Sequence, residues 1–126
     1  MSRLEETRAV ELVMQDYFDG LFFSDVSRLE RAFHPQAHYF TASGGELLHY
    51  DMAEYFPIVN ARASPASTGA LRTDAIVAID FVGPVTALVK AMCSIPPKHF
   101  LDVLTLVKVD DRWQIVAKVF HYEIRD

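Results

Sequence analysis

The order of elements along this chain predicts an α+β fold: three N-terminal helices packed on an antiparallel sheet of about six strands. Three observations carry that reading. Cap signatures open three stretches of helical spacing in the first half of the chain. Four long runs rich in Val, Ile, Leu and Phe then follow one another with only turn signals between them, which argues against a doubly wound parallel sheet. The last runs are apolar on both faces, with Leu101, Val103 and Val107 on one and Phe100, Leu104 and Leu106 on the other, so both faces must be covered.

Taken in order, Ser2 and Glu5 form an S-x-x-E capping box, and Val10, Val13, Met14, Tyr17, Phe18 and Leu21 recur at three- and four-residue spacing behind it. A second, shorter helix is capped by Ser27 and Glu30, shows Leu29, Ala32 and Phe33 on one face, and ends where Pro35 forces His34 out of helical conformation. Residues 38–41 and 46–50 flank Ser43-Gly44-Gly45 and read as a small hairpin. Asp51 and Glu54 cap a third helix carrying Met52, Tyr55, Phe56 and Val59, which Pro57 should bend or split. The small, polar segment 63–70 is a loop. Residues 71–81, 85–95, 100–109 and 113–124 then form a four-strand meander, punctuated by Gly83-Pro84, Pro96-Pro97 and Asp110-Asp111.

Composition removes several classes of function. The 126 residues and 14.3 kDa suit one domain spanning 1–126, and 51% hydrophobic with 23% charged residues is enough apolar material for a real core. A net charge of −5 and a pI near 5.4 offer no phosphate-reading surface, so nucleic acid is not an expected partner. No apolar run approaches the ~20 residues of a spanning helix, and MSRLEETRAV lacks a signal-peptide core, which leads to the expectation of a cytoplasmic protein with no membrane partner. The single cysteine, Cys93, has no internal disulfide partner and alternates with Val89 and Ala91 as a core residue.

Asp102 is the most informative candidate, because a carboxylate flanked along its strand by Phe100, Leu104 and Leu106 is expensive to bury unless it is protonated or paired. Its surroundings depend on register. A two-residue turn at Asp110-Asp111 sets Asp102 opposite Val119, sharing a face with Ala117 and His121; a three-residue turn sets it opposite Phe120 beside Lys118. Asp102 is therefore either a pocket acid or half of a structural contact. Tyr17 lies on the core stripe of the first helix, where its hydroxyl needs a partner. Tyr39 and Thr41 share one face of the first short strand and, with Phe56, are candidate ligand contacts or ordinary core filling. Of five histidines, only His34 and His38 have H-x-x-x-H spacing, and Pro35 interrupts it, so no metal site is expected. His121 ends a central strand and is a candidate acid–base partner of Asp102.

The segments LVMQDYFDGLFFSDVSRLERAFHPQAHYF and DVLTLVKVDDRWQIVAKVFH, in this order of elements, resemble the nuclear transport factor 2-like superfamily. Within it, the D-x-L-x-L strand and the W-x-I-x-x-K-V-F-H ending are most similar to the bacterial putative lumazine-binding (SnoaL-like) family. The resemblance spans nearly the whole chain and implies a cone, a strongly curved mixed or antiparallel sheet enclosing a pocket, a scaffold that carries isomerases, dehydratases, cyclases and non-catalytic binders alike. Similarity to ketosteroid isomerase, whose oxyanion hole uses a tyrosine and a protonated aspartic acid, places Tyr17 and Asp102 at those two positions. It places Thr41 where the proton-shuttling aspartate belongs, and threonine cannot act as that base.

The resemblance thus implies a small-molecule-binding protein that holds an apolar or aromatic carbonyl-bearing compound in the cone, with no cofactor. An acid–base enzyme using Asp102, Tyr17 and His121 is the alternative, and a structural dimer with a filled cone is the third. Strands apolar on both sides lead to the expectation of a homodimer through the outer sheet face.

Overall fold

A computed structural model describes residues 2–125. Helix α1 spans Arg3–Phe23 and opens on the Ser2/Glu5 capping box; α2 spans Val26–Ala32 and α3 Met52–Ala61. The strands are β1 (Phe33–Thr41), β2 (Leu48–Asp51), β3 (Ala75–Phe81), β4 (Thr86–Ile95), β5 (Lys98–Val109) and β6 (Arg112–Ile124). They form one sheet in the order β2-β1-β6-β5-β4-β3, antiparallel except where β1 runs parallel beside β6. The three helices and six-strand mixed sheet make the α+β cone that the chain resembles.

Several local expectations are corrected. The cap of α2 is Asp25, whose carboxylate accepts the Ser27 N–H, so that helix begins before Ser27. Strand β1 starts at Phe33 rather than His38, because Phe33 already pairs with Ile115. Pro57 does not split α3: the capping box of Asp51 and Glu54 fixes its first turn, and Ala53, whose carbonyl the missing N–H would have met, is exposed to water. Strand β3 begins at Ala75, four residues later than the apolar run.

The core fills the concave side of the sheet, where Val10, Met14, Tyr17 and Leu21 of α1 meet Leu29, Phe33, Val89, Leu104, Leu106 and Ile115. Gly20 permits the tight α1–α2 approach; a Cβ there would lie 2.5 Å from the Leu29 side chain.

The last hairpin combines the two sequence alternatives. Its turn has two residues, Asp110 and Asp111, both at positive φ, between the paired Val109 and Arg112. The register shifts farther along, however. Leu106 pairs with Ile115 but Thr105 pairs with Ala117, which leaves Val116 as an extra residue on β6. Beyond this bulge Asp102 lies opposite Phe120, with Lys118 diagonal to it on the same face. No helix among the described residues is long and apolar enough to cross a membrane.

Candidate functional site

The mouth of the cone is a cavity of about 640 Å³ between β1, β2, α3 and the far ends of β4–β6. Six aromatic residues line it: Tyr39, Tyr50, Tyr55, Phe100, Phe120 and Tyr122. On α3, Tyr55, Ile58 and Arg62 reach it at i, i+3 and i+7, one helical face. Tyr39 lies in ring contact with Tyr50, Tyr55 and Phe120 at centroid distances of 5.3, 4.7 and 4.8 Å. Burial pushes its phenol up to about 12, with the charge of Lys118 opposing that shift. The Tyr39 and Tyr55 hydroxyls make no hydrogen bond to protein among the described residues, so both remain free to meet a ligand.

Behind the aromatic wall lies a buried polar group. Tyr17, fully inaccessible, donates its hydroxyl to Asp102 Oδ2 at 2.5 Å, and Asp102 is itself 2% exposed. Burial first, and the Asp102 charge second, hold the Tyr17 phenol well above its ordinary pKa. Asp102 Oδ1 is buried without a partner.

Lys118 is 4% exposed, and its ammonium faces the rings of Tyr17, Tyr39, Tyr55, Phe100 and Phe120 at 5.0–6.0 Å. No ion pair joins it to Asp102 among the described residues. Burial works against the Lys118 charge, but the acidic groups around it, Tyr55 and Asp102 foremost, more than offset that and hold its pKa above the usual lysine value. Arg62, at the end of α3, has Nε and one Nη buried with no partner.

The sequence candidates divide accordingly. Tyr17 and Asp102 come together, but they bond each other behind the wall and neither lines the cavity. Tyr39 and Thr41 line it. The Thr41 hydroxyl is committed to the Phe120 carbonyl at 2.7 Å and accepts the Ser43 N–H, a bridge from β1 to β6 that leaves it no role as a base. Phe56 is outside the lining and packs against Phe33 at 6.2 Å, because Tyr55, one residue earlier on α3, takes the cavity-facing position. His121 is on the opposite face from Asp102: it pairs across from Leu101, its side chain is 58% exposed, and Nδ1 bonds Ser43 Oγ at 2.9 Å. The bulge at Val116 is the physical reason, since one extra residue exchanges which of Lys118 and His121 shares the face of Asp102. Sequence reasoning missed Arg62 and the convergence on Lys118. The signal for Arg62 was its helical spacing from Tyr55; Lys118 depended on the bulge.

The family model described as "Putative lumazine-binding" matches residues 5–121. The chain belongs to that family. It is 27% identical over 107 residues to the aldolase FrzH of Cladobotryum sp, with 83% of this chain and 82% of the relative covered. Among solved structures, an NTF2-like protein of unknown function from Shewanella baltica OS155 is similar at a TM-score of 0.88 and 24% identity, covering 99% of each chain. A second, from Silicibacter pomeroyi DSS-3, gives 0.84 and 25%, covering 99% of this chain and 100% of the other. Together with the three helices and the mixed sheet, these neighbours establish the NTF2-like cone.

Proposed function

We propose that the single domain 1–126 binds a small planar, aromatic or apolar carbonyl-bearing compound in the mouth of the cone. The observation that carries this reading is the 640 Å³ cavity with its six aromatic walls. Its size lies within the ~300–1,000 Å³ typical of small-molecule sites, and apolar walls with a few convergent polar groups are their usual chemistry. Ring faces supply contact area, while the Tyr39 and Tyr55 hydroxyls supply directed donors for a carbonyl oxygen. Membership of a family described by lumazine binding supports a small-molecule ligand.

Thermal unfolding against a panel of planar carbonyl compounds, lumazine among them, tests the reading. A true ligand at 100 times its Kd adds about 2.7 kcal/mol of stability, and Phe120→Ala or Tyr55→Ala should abolish the shift. No shift anywhere in the panel, and no co-purified molecule in native mass spectrometry, would overturn it in favour of a filled structural cone.

A second reading is favoured by one observation, the aldolase relative. Carbon–carbon bond chemistry on a carbonyl compound passes through an enolate, and the Lys118 ammonium behind the wall supplies preorganised positive charge for its stabilisation. With Thr41 committed to backbone and Asp102 behind the wall, the proton acceptor must come from the substrate or from another group at the cavity. Retro-aldol turnover by wild type that Asp102→Asn removes would favour this reading over binding alone.

We further propose a homodimer across the outer sheet face, where Val77, Met92, Leu101, Val103 and Val119 leave an apolar strip exposed on β3–β6. Sedimentation should show a dimer that Leu101→Lys dissociates; a wild-type monomer at micromolar concentration excludes it. The cytoplasm is the proposed location.

A further inference from the structure

We infer that the cone selects a ligand carrying a negative charge, a planar carboxylate or enolate, through the unpartnered Arg62 guanidinium at the cavity wall and the Lys118 ammonium one ring layer behind it. The inference rests on the cone-binding reading and specifies the chemistry of its ligand.

Three observations converge. Arg62 lines the cavity while its Nε and one Nη are buried with nothing to bond. An unsatisfied buried guanidinium is costly, and its planar fork fits a carboxylate edge-on through two parallel N–H donors. Lys118 is the second. Its charge is screened from water by five rings, four of which, Tyr39, Tyr55, Phe100 and Phe120, line the cavity, so its field reaches the interior through low-dielectric material. The third is the local charge balance. The chain as a whole carries −5, yet around the cavity Arg62, Lys98 and Lys118 outnumber Glu46 in the lining and Asp102 behind it. Asp102 is in addition held by the Tyr17 hydroxyl. A cavity positive inside an acidic protein concentrates anions where the rest of the surface repels them. Because Lys118 keeps its proton, it acts as a fixed cation rather than as an amine nucleophile.

The test compares 2-naphthoate with 2-naphthamide, planar probes of nearly equal size that differ in charge, by calorimetric titration at pH 7.5 and low salt. Wild type should bind the carboxylate at least tenfold more tightly, and the preference should shrink as salt is raised. Arg62→Leu and Lys118→Met should each reduce that preference, read as the ratio of the two affinities within one variant, at least fivefold. Arg62→Lys, which keeps the charge but loses the fork, should retain part of it. Equal affinity for both probes in wild type would overturn the charge selection and leave cone binding intact. Binding of neither probe would overturn cone binding and this inference with it. Arg62 ends a helix at the cavity edge, so if Lys118→Met fails to fold, Arg62→Leu decides alone, and an unchanged preference in that variant overturns the proposal.

Discussion

Two lysines of the central strands are covered by helix α1, and they are treated in opposite ways. Beside the β5–β6 turn, Lys108 of β5 donates to Glu6 Oε1 at 2.6 Å, and Trp113 Nε1 of β6 donates to Glu6 Oε2 at 2.5 Å, so each carboxylate oxygen has a partner. Eleven residues farther along the same helix, roughly 16 Å, Tyr17 satisfies one oxygen of Asp102 and leaves the other bare. Lys118 there faces rings, and Arg62 has no acceptor for two of its nitrogens. The first cluster is complete as it stands, and its chemistry ends in holding α1 onto the sheet. The second is incomplete beside a 640 Å³ cavity. Unsatisfied buried polar groups cost stability; their presence beside the cavity sets this cluster apart from the completed ion pair at Glu6.

The largest expected effect breaks the incomplete cluster. Tyr17→Phe removes the only hydrogen bond that the Asp102 side chain makes among the described residues, and urea unfolding at neutral pH should show a loss of about 3 kcal/mol, the upper end of the cost of leaving a buried acceptor without its donor. Adding Asp102→Asn to that variant should recover much of the loss, since a neutral amide needs its lost donor less. A Tyr17→Phe protein within 0.5 kcal/mol of wild type would mean, by the order of magnitude of such burial costs, that the two clusters do not differ as described.

An intermediate effect comes from alkaline pH. Burial, joined by the Asp102 charge, raises the Cys93 thiol to about 12, and burial raises the Tyr39 phenol to about 12. In both, the native state keeps a proton that the unfolded chain releases. Their contribution is therefore intact below the unfolded pKa and is lost as pH climbs from about 9 for Cys93 and about 10 for Tyr39 toward 12. Thermal unfolding should report a loss on the order of 2 kcal/mol by pH 10.5 for the Cys93 part. Cys93→Ala should flatten the curve between pH 9 and 10.5, and a thiol reagent should modify Cys93 only after denaturation.

The smallest effect belongs to the complete cluster. Hydrogen bonds from Lys108 and then Trp113 lower the Glu6 pKa, so its stabilisation is present above the ordinary glutamate value and disappears as pH falls through the lowered native one. Glu6→Gln should lose stability at neutral pH by less than Tyr17→Phe, remove that part of the acid transition, and leave ligand affinity unchanged. A change in affinity from so distant a substitution would show that the two ends are coupled.

By itself the sequence determined the elements and the outline of the cone. Capping boxes at Ser2 and Asp51, helical spacing through Tyr17, and four strand runs separated by Gly-Pro, Pro-Pro and Asp-Asp signals are local properties, written within a few residues of where they act. It also marked Asp102 as an acid needing a partner and Tyr17 as a hydroxyl needing one, and the structure joins them. The tertiary structure alone decided what surrounds that pair. The two-residue turn was legible, but the extra residue at Val116 was not, because no local pattern announces where a curved sheet inserts a bulge between β5 and the parallel neighbour β1. That single residue sends Lys118 inward and His121 outward. Side chains alternate with a period of two along a strand, so a shift of one exchanges the two faces completely, and only the packing of three strands and a helix selects between them.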